Sequence, residues 1–163
     1  MSAPDEMPLF LRTIRQNRWL KAEAAPFLAV DDVPADSVCD LSTQQNLLSV
    51  WEVAADRSNI ERIVRAVAIG RDRIDNIGYM LFDSALLPPA DIETVENQGN
   101  SPDEGANPWH RDLVVSGKKL VAFTKAVLQH GESGTVLKVR LRQLVEQGIK
   151  DKELPEKLQA KLS

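Results

Sequence analysis

Sulfur and imidazole are scarce in this chain: its 163 residues hold one cysteine, Cys39, and two histidines, His110 and His130. One cysteine cannot close an internal disulfide and points to a reducing compartment. A structural zinc site takes four nitrogen or sulfur ligands. No H-x3-H or C-x2-C spacing supplies them, so the expectation is no metal and no cofactor. The longest apolar runs are four or five residues, far short of the ~20 that a membrane span needs. The amino end has no basic n-region and no apolar h-region, which predicts no secretory signal and a cytoplasmic location.

Motifs for known chemistry are missing too. The chain has no G-x-G-x-x-G, no G-x-x-x-x-G-K-[ST] and no G-x-S-x-G. Ser116-Gly117-Lys118-Lys119 has the flavour of a phosphate-binding turn, but lacks the first glycine and the hydroxyl residue after the lysine. It reads better as a plain helix start. His110-Arg111-Asp112-Leu113 matches the start of a kinase catalytic loop, yet Gly117 stands where that loop needs an asparagine. No 20–50-residue repeat is visible.

What the chain does have is sorted charge. The net charge of −4 conceals four blocks. Residues 1–21 balance at +2 and residues 22–82 at −5. Residues 83–110 carry six acids and no Lys or Arg, and residues 111–163 balance at +5. Either the basic third folds back on the acidic middle, or one of these faces meets a charged partner. A pI near 5.2 weakens the case for nucleic acid, whose binding domains usually exceed ~9.

Hydrophobic periodicity predicts a mixed α/β or α+β protein: a small sheet of about four strands, a capped helix packed on it and a helical carboxyl-terminal third. Residues 1–8 read as a disordered leader, 9–150 as one domain and 151–163 as a short helix opened by Pro155, or a tail. Residues 9–14 read as a strand, with a helix as the alternative. The proline-bearing stretch 22–36 reads as an irregular connection that pins Phe27 and Leu28. Residues 37–41 and 47–53 read as a hairpin around a polar turn, with Leu47, Ser49, Trp51 and Val53 on one face. Ser58-Asn59-Ile60-Glu61 fits a capping box that opens a helix over 58–69, with Glu61 and Arg65 paired and Gly70 as a left-handed stop. A strand over 77–82 follows. Strand, helix and strand in succession suggest a parallel crossover within a mixed sheet. Residues 88–109 have no periodicity and read as disorder or a loose acidic flap. Ser116 caps a helix that ends at His130-Gly131. Another helix ends at Gly148, although residues 136–142 also alternate like a strand.

Candidate functional residues are few. Cys39, inside a predicted strand, reads as a small buried hydrophobe. His110 and Asp112, with a further carboxylate such as Asp83, form the candidate acid–base set, because catalytic groups concentrate on loops held by a rigid scaffold. Trp109 is an anchor for the loop or a binding residue. Arg12, Arg15, Arg18, Trp19 and Lys21 form the best local cluster for nucleic acid. Lys138, Arg140 and Arg142 share a face if their segment is a strand. The leading expectation is a non-enzymatic interaction or regulatory module that binds another protein through a sheet edge or charged surfaces. Accessory, immunity and antitoxin-like proteins share its size and acidity, an analogy without a shared motif. A small enzyme with a site near His110, and a nucleic-acid binder using the basic third, are the alternatives.

Overall fold

The computed structural model describes residues 7–19 and 32–163. In chain order its elements are β1 (Leu9–Ile14), α1 (Ala35–Asp40), β2 (Leu47–Val53), α2 (Ile60–Ile69), β3 (Ile77–Asp83), β4 (Glu93–Glu96), β5 (His110–Val114), α3 (Gly117–His130), β6 (Glu132–Val136) and α4 (Lys138–Lys150). Short 3-10 turns join them, the last over Glu156–Leu162.

The central strands are apolar on both sides. Leu9 and Leu11 of β1, Trp51 and Val53 of β2, and Ile77 and Leu81 of β3 face one way; Phe10, Ile14, Leu48, Val50, Met80 and Phe82 face the other. A sheet of this kind must be covered twice. On the first face lie α2, α4 and the final 3-10 turn, contributing Ile63, Val64, Leu141, Val145 and Leu158; on the second lies α3, with Phe123 and Val127. The Phe123 ring meets Phe82 edge-on at 5.1 Å.

The class is the expected mixed α+β, with one sheet of six strands rather than about four. Its order is β4-β5-β2-β1-β3-β6, and every neighbouring pair is antiparallel. Because β2 and β3 both run against β1, they are parallel to each other with β1 between them. The predicted crossover therefore exists, but it spans an intervening strand, and the sheet is not mixed. The doubly apolar β1 takes the central place.

Several local expectations are corrected. Residues 37–41 do not form a strand: Pro34 presets the entry to α1, which turns Ser37 and Leu41 inward and Cys39 outward. The capping box does not form. Asn59 is the N-cap, and its amide bonds Ala54 N–H and Glu52 O instead. Gly70 is right-handed, with φ −79°. Residues 88–109 are not disordered; they hold β4, two 3-10 turns and the fully buried Asp103. Residues 132–136 pair with β3 as β6, and α4 follows at once. Gly148 lies inside α4, beneath Leu154. Ser116 does cap α3, its hydroxyl accepting from Lys119 N–H at 3.4 Å. Residues 151–163 pack through Leu154 and Leu158. Residues 1–6 of the expected leader over 1–8, and Phe27 and Leu28, lie outside the described residues.

Candidate functional site

Pairing of β2 with β5 sets Ser49 opposite Asp112 and Trp51 opposite His110. Side chains alternate along a strand, so His110 and Asp112 emerge on one face of β5 beside the serine and the indole. The segment 97–100 passes over them. Asn97 makes two contacts: its carbonyl oxygen lies 2.6 Å from His110 Nδ1, and its side-chain amide donates to Asp112 Oδ2 at 2.5 Å. Ser49 Oγ donates to Asp112 Oδ1 at 3.3 Å. The imidazole rests edge-on against Trp51 at 5.1 Å, and its Nε2 lies 3.9 Å from Asp112 Oδ1.

These groups line an open cleft of about 470 Å³, closed by the amides of Gln44, Gln45 and Asn100. Gln45 and its neighbour Asn46 are left-handed, with φ of 53° and 62°, a backbone state that is uncommon outside glycine. Gly99 belongs there because a Cβ would sit 2.8 Å from Asn107 Oδ1 and 3.0 Å from Trp51.

The chemistry follows from the partners. A carbonyl only accepts, so His110 Nδ1 carries a hydrogen, and Nε2 of the neutral ring keeps its lone pair. Asp112, 4% exposed, meets neutral donors from Ser49 and Asn97. Among the described residues of the lining, the imidazole is the one group able to carry positive charge. If His110 Nε2 accepts a proton, the Asp112 carboxylate is placed to stabilise the imidazolium.

The cleft depends on a latch in the same loop. Asp103 has its side chain fully buried and receives Arg62 Nη2 at 3.0 Å and Arg65 Nη2 at 2.7 Å. Glu153 adds a second acid, 2.9 Å from Arg65. Burial alone would raise the Asp103 carboxyl, but the hydrogen bonds and charges of the two arginines outweigh it and hold it below its ordinary value. Asn107 clasps Ser101 twice, through its side-chain oxygen and nitrogen. Thus α2 holds down the segment that carries Asn97 to the imidazole.

Of the predicted site residues, the structure brings together His110 and Asp112 alone. Asp83 is exposed at the end of β3, where it caps Ala85 N–H, with β1 and β2 between its strand and β5. Trp109 is half-buried under Arg62, whose guanidinium carbon lies 5.6 Å from the ring centroid; it anchors the loop. Lys138, Arg140 and Arg142 lie on α4, where Arg140 stands about 200° from each of the other two, so the three share no single face. Arg140 is taken by Glu61 through two bonds. Cys39 is exposed rather than buried. Ser49, Asn97 and the amides of the cleft were not foreseen. The alternation of β2 already put Ser49 on the face of Trp51, but nothing local in sequence announces Asn97.

Among the described residues, no group of three or more His, Cys, Asp or Glu side chains is placed to hold a metal ion. No described helix is long and apolar enough to cross a membrane. No protein-family model, curated protein sequence or solved structure matches the chain.

Proposed function

We propose that the cleft between β2 and residues 97–100 takes a small, polar, hydrogen-bonding molecule, and that His110 Nε2 serves as its general base. The observation that carries this reading is the fixed tautomer of His110 beside the buried Asp112 within a wall of amides. Amides supply paired donors and acceptors, which suit a neutral polyol, nucleoside or amide better than an ion. Proton abstraction leaves an imidazolium that Asp112 steadies, and Asn97 keeps the ring in place.

The test is a titration of the nitrogen-15-labelled protein with a panel of sugars, nucleosides and small amides. A member that shifts the side-chain amides of Asn97, Gln44 and Asn100 together with the His110 ring supports the reading. His110→Gln should keep that binding and lose any conversion of the bound compound. A panel that leaves the cleft unmoved, or conversion that survives in His110→Gln, overturns it.

A second reading, charge-guided binding of another protein, has one observation in its favour. All four side chains of edge strand β4 are exposed, Glu93 and Glu96 among them. The basic face expected at 138–142 is weaker, since Glu61 neutralises Arg140. A partner association rate that does not change between low and ~0.5 M salt would exclude this mechanism.

A further inference from the structure

The charge of one carboxylate reaches three arginines where β1 ends. Arg15 follows β1, Arg71 follows α2, and Arg12 sends Nη1 to the backbone oxygen of Ser49 at 2.9 Å, leaving its buried Nε without a partner. The carboxylate is Asp40, and its hydrogen-bonding capacity is largely used. Its Oδ2 accepts from Arg15 N–H and from Trp19 Nε1, each at 2.8 Å, while Arg15 Nε stays 3.9 Å from Oδ1. Arg71 makes no ion pair among the described residues. The other acids of its turn are Asp72 and Asp75, both exposed, and Asp75 lies 3.7 Å from Arg73. Burial first, and then the charge of Arg15, lower the Arg71 guanidinium below its ordinary value, with Asp40 opposing them.

Arg15 and Arg71 line a common open cavity of about 800 Å³, together with the amides of Gln16 and Asn76 and with Thr135. This lies within the size range of small-ligand sites. Two guanidinium forks lining one open hollow match a doubly charged tetrahedral anion, which takes parallel N–H donors and offsets their like charge. We propose that this hollow is a binding site for the phosphate dianion of a small phosphorylated molecule, with Arg15 and Arg71 gripping the phosphate and with Gln16 Oε1 and Asn76 Nδ2 left for the remainder, since Gln16 Nε2 donates to Gly134 O and Asn76 Oδ1 accepts from Lys138 N–H. It stands apart from the cleft of His110, with which it shares no lining residue.

The test titrates the full chain with inorganic phosphate and with pyrophosphate at constant ionic strength set by chloride, following the arginine Nε–H and the Gln16 and Asn76 amide signals. Saturable shifts at these groups are expected. Arg71→Gln and Arg15→Gln should each raise the dissociation constant at least about tenfold, the usual worth of a charge-assisted bond. Arg71→Lys, which keeps the charge but loses the fork, should fall between. Arg73→Gln, on the same turn but outside the cavity, should change nothing. Shifts that grow linearly without saturation, or an equal loss in Arg73→Gln, would reduce the effect to general charge and overturn the site. A single-stranded oligonucleotide without terminal phosphate that binds more tightly than pyrophosphate would overturn the assignment to a small molecule.

Discussion

Asp103 and Arg65, 38 residues apart, meet at 2.7 Å in the interior, with the carboxylate fully buried and the guanidinium nearly so. One sits in a loop without hydrophobic pattern and the other on α2, and their pairing fixes the loop. Breaking a buried pair from one side strands the other charge, which typically costs 3–5 kcal/mol. Glu153 remains beside Arg65 at 2.9 Å, but it is 39% exposed and replaces only part of the loss. Asp103→Asn should therefore lower the unfolding free energy in urea at pH 7 by about 3 kcal/mol. A change below ~0.5 kcal/mol, the usual scale of a surface substitution, would show that the latch is not what holds the loop.

The same pair predicts a pH dependence. The Asp103 carboxyl is held below its ordinary value of 3.8 by Arg62 and Arg65 despite its burial. A depressed carboxyl contributes its stability in full above the unfolded value and loses it as pH falls through the folded one. Stability measured from pH 7 downward should start to fall near pH 4 and continue below it, and Asp103→Asn should fall less steeply over that window. Parallel curves for the two proteins would contradict the assignment.

Legibility in the sequence followed hydrophobic contrast. The faces of β2, the strand at 77–82 and the Ser116 cap could all be read, because apolar alternation or a capping hydroxyl marks each of them. Glu93-Thr94-Val95-Glu96 gives no such mark. It is a strand because β5 supplies its backbone partners, and an edge strand with all side chains in water needs no apolar ones. Ser37–Leu41 misled for the opposite reason: its β-branched Val38 and neighbouring Cys39 resemble a strand, while Pro34 directs the chain into a helical turn. His110 and Asp112 were legible as candidates beside the long loop, but not as neighbours on one face of a strand, because β5 shows no alternation that marks it in sequence. Asn97 was not, because its place depends on the distant contacts of Asp103 with α2.

The thiol of Cys39 separates the helical turn from the strand it was expected to join. It is exposed on α1, so an aromatic disulfide reagent should label it fully in the folded protein at neutral pH. Labelling that waits for denaturant would return Cys39 to the interior and contradict α1 as described.

Glu61 illustrates how a surface charge chooses between neighbours. Instead of pairing with Arg65 one turn along, it binds Arg140 of α4 through bonds of 2.9 and 2.7 Å, while Arg65 turns to Asp103. Both members of the surface pair are about half exposed, so the coupling is small. A double-mutant cycle on Glu61 and Arg140 should give about 0.5–1 kcal/mol at low salt, shrinking toward zero by ~0.5 M. The same cycle on Glu61 and Arg65 should give none. Coupling to Arg65 of comparable size would mean that α4 does not dock on α2 as described.

The proton on His110 offers the closest look at the cleft. Nδ1 faces the carbonyl oxygen of Asn97 at 2.6 Å, and Nε2 faces the Asp112 side with no hydrogen-bond partner. The neutral ring should therefore show the Nδ1–H form in nitrogen-15 spectra, although Nε2–H is the commoner form of histidine in water. Asp112→Asn keeps the shape and changes the charge, so the Nδ1–H tautomer held by the Asn97 carbonyl should persist in the variant. A predominantly Nε2–H ring would mean that Asn97 does not hold the imidazole, and the lone pair required for proton abstraction would then face away from the cleft.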